Sequence, residues 1–217
     1  MLHQERIFSI LELLNLFDDS KKITSNLVQN FFRSRKYMGS QDRKFISNSF
    51  WNILRHRTKI YWHLNYLNLE ITNERILLLE LFFLNSHYQN NLLEIKKLFI
   101  LKCRDFKKIS DQDLDFLNNL IVGDFYNNKM PEHVYYEFSE YLINSIKKNF
   151  PNDWKQVLLS LNEEAFFDIR INSLKFKSRE QIKILLQDID VNSEYSIYSP
   201  VGIRFSKRHP IEGHKLF

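Results

Sequence analysis

The chain has 217 residues, of which 44% are hydrophobic, so it is long enough to bury a core without disulfides or metals. Its single cysteine, Cys103, excludes an internal disulfide framework and is typical of a reducing cytoplasm. The net charge is +5, and residues 1–60 contain 11 Lys or Arg against 5 Asp or Glu, while the remainder contains 20 against 21. A positive excess confined to one part of a chain indicates a polyanionic partner.

The apolar segments exclude a membrane protein. The longest of them, Ile76–Leu84, includes Glu80 and is too short to span a bilayer. The first apolar run is interrupted by Glu12 and Asn15, which is not typical of a signal peptide. We therefore expect a soluble, cytoplasmic protein without a membrane partner.

The first 127 residues have helical periodicity throughout, and glycine and proline are scarce. Six amphipathic stretches are separated by polar or turn-forming residues. They predict helices at about Ile7–Phe17, Thr24–Lys36, Gln41–Asn65, Asn73–Ser86, Asn91–Leu101 and Asp111–Ile121. Residues 1–127 are therefore expected to form one all-helical domain.

The pattern changes after Met130. Helices are predicted from Pro131 through Ile146 and from Pro151 to Leu161, and a third begins at a capping box formed by Ser178 and Gln181. Alternating polar and apolar residues predict strands or a hairpin at Asp168–Lys175, Tyr195–Tyr198 and Val201–Phe205. Residues 128–217 are expected to form a small α+β subdomain, and the fold class is mainly α.

The most informative segment, Arg33–Lys59, contains eight Lys or Arg residues and one acid, Asp42. Steps of three and four residues place one set of cations and amides on a common face of the third predicted helix. The members of that face are Lys44, Asn48, Asn52, Arg55 and Lys59. Such a face can contact the phosphates and sugar hydroxyls of a folded RNA. The RNA-binding candidates here are Arg33, Arg35, Lys36, Arg43, Lys44, Arg55, Arg57 and Lys59.

Simpler explanations exist for these residues. A solvated helix face is the general alternative, although such faces usually mix charges of both signs. Asp42 and Arg43 can equally form an internal ion pair at the start of the helix, where a carboxylate is favoured. Trp51 and Trp62 are expected in the core and not as base-stacking platforms.

No pattern predicts a catalytic or metal site. The seven histidines lack ligand spacing, and Cys103 has no recognisable His or Asn partner. Glu163 and Glu164 point about 100° apart on a helix. The four glycines are isolated, so no Gly-rich phosphate or cofactor loop is present. We expect no catalytic residue, no metal and no cofactor in this chain.

Two groups of short motifs follow one another along the chain. The first comprises Asp42-Arg43-Lys44-Phe45-Ile46-Ser47, Trp51 and Leu54-Arg55-His56-Arg57. The second comprises Pro151-Asn-Asp-Trp154, Leu161-Asn-Glu-Glu-Ala165 and Arg170-Ile-Asn-Ser-Leu-Lys175, followed by Ser178-Arg-Glu180, His209-Pro210 and Leu216-Phe217. Their order and spacing resemble the RsmB/Sun (Fmu) family of RNA cytosine-C5 methyltransferases. Ala165-Phe166-Phe167 departs from the pattern, because relatives usually have a proline before the strand.

The resemblance implies three parts: a NusB-like helical domain at residues 1–127, a small α+β (RRM-like) subdomain at 128–217, and a Rossmann-like methyltransferase domain. The third part would bind S-adenosylmethionine and contain two catalytic cysteines, neither of which matches Cys103. Because the sequence stops at the apolar pair Leu216-Phe217, we expect the catalytic domain to be absent and this chain alone to be inactive.

The sequence thus predicts the RNA-binding front portion of an rRNA 5-methylcytosine methyltransferase, a monomer that docks the enzyme on ribosomal RNA. The resemblance places Arg170 and Asn172 near the RNA cleft, so both are further RNA-binding candidates. A separate methyltransferase chain is a further partner that can supply the catalytic half. The alternatives are a stand-alone NusB-like adaptor that binds RNA or protein in transcription, and an inactive fragment of a split gene.

Overall fold

The computed structural model describes residues 1–20, 23–100, 125–163, 165–187 and 192–206. Over these residues the chain is mainly helical and has one three-stranded antiparallel sheet, so the predicted helical bundle followed by a small α+β region is confirmed. Four features of the sequence lie outside the described residues, namely the predicted helix Asp111–Ile121, Cys103, His209-Pro210 and Leu216-Phe217. The chain forms two compact units, Met1–Ser160 and Leu161–Phe217. The predicted domain boundary after residue 127 stays a prediction.

The first unit begins with six helices, among which α5 is the most central. They are α1 (His3–Asp18), α2 (Thr24–Ser34), α3 (Ser40–Arg55), α4 (Arg57–Tyr66), α5 (Asn73–Phe83) and α6 (Leu92–Ile100). Every residue from Ile76 to Phe83 is at most 5% exposed, because α5 packs against α1, α3, α4 and α6. No helix in the described ranges has the length and apolar character needed to cross a membrane.

The predicted helix Gln41–Asn65 is two helices, which is a correction. The chain bends at His56, where φ is −107° and ψ is 20°. His56 Nδ1 lies 2.5 Å from Oε2 of Glu137, and Lys59 Nζ donates to the same oxygen at 2.9 Å. These contacts join residues about 80 positions apart in sequence. The periodicity of apolar residues therefore could not reveal the break.

The single helix predicted from Pro131 through Ile146 is also interrupted. The structure has α7 (Glu132–Tyr136), α8 (Glu140–Asn149) and, further along, α9 (Trp154–Asn162). Glu137 ends α7 in the left-handed region with φ of 60°, and Ser139 caps α8 by accepting the N–H of Leu142. A small apolar cluster of Tyr136, Ile143 and Leu158 holds these helices together.

The second unit combines one helix with the sheet. Its elements are β1 (Phe167–Arg170), α10 (Arg179–Gln187), β2 (Ser193–Tyr195) and β3 (Gly202–Phe205). The strand order is β1-β3-β2, both pairs are antiparallel, and α10 buries Leu186 against Ile203 and Phe205. The predicted hairpin is confirmed in its antiparallel pairing, but its first strand, β2, is Ser193–Tyr195 and not Tyr195–Tyr198. The first strand is shorter than predicted, because Asn172 Oδ1 accepts the N–H of Leu174 and turns the chain.

Candidate nucleic-acid interface

The start of α3 is organised by Asp42, the single acid in residues 23–69. Its side chain is nearly buried, and its Oδ2 accepts the N–H of Gly39 at 3.2 Å while its Oδ1 accepts from Arg6 Nε at 2.7 Å. Burial alone would raise the pKa of the Asp42 carboxyl, but the bonds from Arg6 and Gly39 outweigh it, and the pKa falls below its usual range. Asp42 therefore stays ionised as a structural anion.

The predicted ion pair between Asp42 and Arg43 is wrong, because Asp42 pairs with a different arginine. Asp42 lies near the N-terminus of α3 as expected, but it pairs with Arg6 of α1. Arg43 instead donates through Nε to the carbonyl of Met38 at 2.9 Å, and its guanidinium lies 5.9 Å from the centre of the Phe32 ring. Arg43 thus connects the end of α2 with the first turn of α3.

We define the α2–α3 surface as the exposed residues of α2, the loop 35–39 and α3. Its exposed cations are Arg33, Lys36, Lys44 and Arg55. The side chains of these four residues form no hydrogen bond or ion pair with another described residue. Asp42 is turned inward, and the carboxylates that pair with cations near this surface, Glu12 and Asp18, both belong to α1.

Two further candidate cations are held by those carboxylates. Arg35 pairs with Glu12 and stacks 3.8 Å from the centre of the Phe31 ring. Arg57 donates to Tyr61 Oη at 2.5 Å and to Asp18 at 3.3 Å. Both side chains remain partly exposed, but their positions are fixed by the helical unit. Their first role is therefore to tie α2 and α4 to their neighbours.

Lys59 does not lie on the predicted face. Its side chain is 1% exposed, pairs with Glu137 and lies against the Tyr126 ring, 4.5 Å from the ring centre. Burial lowers the pKa of its ammonium, although Glu137 opposes the change. The reason for the difference is the bend at His56, which takes α4 away from the axis of α3.

The exposed face of α3 differs from the predicted one in two further residues. Asn52 is half-buried, and its amide is among the groups that lower the pKa of the buried Glu80 carboxyl. Trp51, which was expected in the core, is 37% exposed. At 100° per residue, Trp51 lies within about 40° of both Lys44 and Arg55 around the helix, so its spacing from those cations was the signal that sequence reasoning missed. Trp62 is half-buried and stacks on Tyr66.

Arg170 and Asn172 belong to the second unit and are not part of the α2–α3 surface. Arg170 is exposed at the end of β1, opposite Gly202 of β3. Asn172 is exposed in the following turn, where its side-chain oxygen is used by the N–H of Leu174. The predicted role of these two residues in RNA binding stays a prediction.

The described side chains offer no group of three or more His, Cys, Asp or Glu that could hold a metal ion. The polar side chains on the α2–α3 surface are cations, amides and hydroxyls. Cations and amides of this kind bind anionic and hydrogen-bonding ligands, of which phosphate and ribose are the commonest in nucleic acids.

Comparison with known proteins identifies the C-terminal part. Residues 138–212 match the family described as "Methyltr_RsmF/B-like, ferredoxin-like domain". This segment is related to the RsmF/B-like methyltransferases. No curated protein matches the chain at a significant level.

A solved structure is similar in fold along the chain. The crystal structure of PH0851 superposes with a TM-score of 0.53 at 14% sequence identity, over 100% of this chain and 52% of that one. Such low identity shows a common fold alone. The chain spans about half the length of PH0851.

Proposed function

We propose that this chain is the RNA-docking portion of an S-adenosylmethionine-dependent rRNA cytosine-C5 methyltransferase, and that it binds ribosomal RNA through the α2–α3 surface. The helical unit is proposed to be a NusB-like RNA-binding domain, and residues 138–212 an adjoining ferredoxin-like domain. The match of that segment to RsmF/B-like methyltransferases supports the choice of enzyme family.

The single observation that most supports RNA as the ligand is the charge of the α2–α3 surface. Four exposed cations lack a partner among the described residues, and the one local acid is buried and bonded to Arg6. A merely solvated face usually contains acids that neutralise its cations. Unpaired cations on a rigid helical frame instead provide contacts to successive phosphates.

Under this proposal the chain supplies binding and orientation, and methyl transfer belongs to a catalytic domain that binds S-adenosylmethionine. That domain can be part of the same protein or of a separate chain. The docking portion is proposed to act as a monomer in the cytoplasm. Arg170 and Asn172 are proposed as secondary RNA contacts of the ferredoxin-like domain.

The test is fluorescence anisotropy of this chain with a small-subunit rRNA fragment, titrated in salt. Several phosphate contacts predict that log affinity falls against log salt with a slope of roughly −3 to −5. The Lys44→Ala/Arg55→Ala variant removes two of the four exposed cations, so its slope should be shallower by about 1.5 and its affinity lower at every salt concentration.

A matched control is Lys148→Ala/Lys155→Ala, which removes the same charge from exposed positions in α8 and α9 of the same unit. This control should bind like the unmodified chain. An equal loss of affinity in both variants would show a nonspecific effect of net charge. Absence of binding at physiological salt would contradict the proposed function.

A further inference from the structure

We infer that Trp51 is a stacking platform for an unpaired base, so that the α2–α3 surface binds a single-stranded segment of RNA and not a duplex. This inference rests on the proposed function and specifies its substrate class. It assigns a role to the exposed aromatic ring between the cations of α3.

The first supporting observation is the exposure of the ring. Trp51 is 37% exposed, whereas its neighbours Phe50 and Ile53 are buried, with exposed fractions of 0% and 1%. The Phe50 ring contacts Trp51 edge to face, with the ring centres 5.5 Å apart and the planes at 69°. The indole is therefore held on the core by Phe50 while 37% of the residue is open to solvent, which suits a fixed surface for stacking.

The second observation is the set of polar groups around the ring. Along α3, Arg55 is about 6 Å from Trp51 in one direction and Lys44 about 10 Å in the other, at 1.5 Å per residue. Asn48, which is exposed, lies one turn before the ring on the same face. A base stacked on Trp51 would thus have a cation toward each flanking phosphate and an amide beside it.

Charge favours RNA over a protein as the occupant of this face. Aromatic rings between cations are the common design of proteins that bind single strands, because every base has a face on which to stack. The exposed residues of α3 include no carboxylate. In duplex RNA the bases are stacked on one another and cannot reach a ring on a convex helix, so a stacking platform selects unpaired nucleotides.

The first experiment measures fluorescence in the Trp62→Phe/Trp154→Phe chain, in which Trp51 is the one remaining tryptophan. Single-stranded RNA should quench and shift the Trp51 emission, and a duplex with the same number of phosphates should leave it nearly unchanged. Quenching by both to the same extent would overturn the choice of single strands.

The second experiment compares the affinities of two variants. Trp51→Leu should bind single-stranded RNA about tenfold more weakly with an unchanged salt slope, because it removes a stacking contact and not a phosphate contact. Trp51→Phe keeps an aromatic face and should recover most of the affinity. Tyr141→Leu, at a position 84% exposed in α8, is the control and should bind normally.

The outcomes separate this inference from the proposed function. If the chain binds RNA through the cations but Trp51→Leu binds as tightly as the unmodified chain, the stacking role is wrong and RNA docking stands. If neither single-stranded nor duplex RNA binds, the proposed function itself fails.

Discussion

At the scale of single residues, Glu137 combines a buried, ion-paired carboxylate with a left-handed backbone conformation. Its carboxylate is 2% exposed and accepts from Lys59 Nζ, and His56 Nδ1 lies against the same oxygen. Its backbone adopts φ of 60°, a conformation that costs non-glycine residues of order 1 kcal/mol or more. The ionic contacts between Glu137 and α4 offset that strain and hold α7 against the helical core.

Replacing Glu137 with Gln should lower the free energy of unfolding by about 3 kcal/mol, because it leaves the Lys59 ammonium buried without a counterion. Urea denaturation measures the change. Glu140→Gln, whose side chain is 81% exposed, is the control and should change stability by less than about 0.5 kcal/mol. A Glu137→Gln variant as stable as the control would show that the pair does not stabilise the fold.

Glu80 of α5 is expected to make the stability of the protein depend on pH. It is fully buried near Ser49 and Asn85, and its Oε2 has no hydrogen-bond partner among the described residues. Burial raises the pKa of its carboxyl from 4.5 to about 7, although bonds from Ser49, Asn85 and Asn52 oppose the rise. Between these two pH values the unfolded chain is ionised at Glu80 while the folded chain keeps the proton.

Stability should therefore fall as pH rises from about 4.5 to about 7, by about 3 kcal/mol from this residue, and then level off. Glu80→Gln cannot ionise, so its stability relative to the unmodified chain should increase over the same interval. Urea denaturation at pH 5, 6, 7 and 8 tests this expectation. Parallel stability curves for the two proteins would show that Glu80 is not protonated in the folded state at pH 5 to 7.

At the scale of elements, the sequence predicted the positions of most helices but not the breaks at His56 and Glu137. Apolar periodicity located α1, α2 and α6 because each buries one stripe in the same core, and α5 was located by an apolar run that is buried on all sides from Ile76 to Phe83. The breaks at His56 and Glu137 depend on a contact between residues about 80 positions apart. Local patterns contain no information on such a contact, so both segments were predicted as single helices.

The lack of local information on distant contacts also explains which candidate residues lie elsewhere than predicted. Lys44 and Arg55 are exposed as predicted, because they lie on α3 before its bend. Lys59 follows the bend and is buried, while Asn52 is half-buried on the side of α3 nearer the core. Ile46, Phe50 and Ile53 form the buried face of α3. Helical spacing places Trp51 on roughly the opposite side of the helix, which faces solvent.

At the scale of the whole molecule, the excess of positive charge lies in the first part of the helical unit, where Arg33, Lys36, Lys44 and Arg55 are exposed. Composition predicted this, because residues 1–60 contain the entire excess of Lys and Arg. It could not predict that Asp42 would turn inward, or that Glu12 and Asp18 would pair with Arg35 and Arg57. The folded chain thus separates cations that bind its own carboxylates from cations that are available to a ligand.

The central claim is that ribosomal RNA binds at the α2–α3 surface. Lysine acetylation followed by mass spectrometry, with and without a small-subunit rRNA fragment, tests it most directly. Lys36 and Lys44 should react readily in the free chain and be protected by RNA, whereas the exposed Lys97 and Lys148 should react equally in both. Lys59 should react slowly throughout because it is buried. Protection of Lys97 and Lys148 with none at Lys36 and Lys44 would contradict the account.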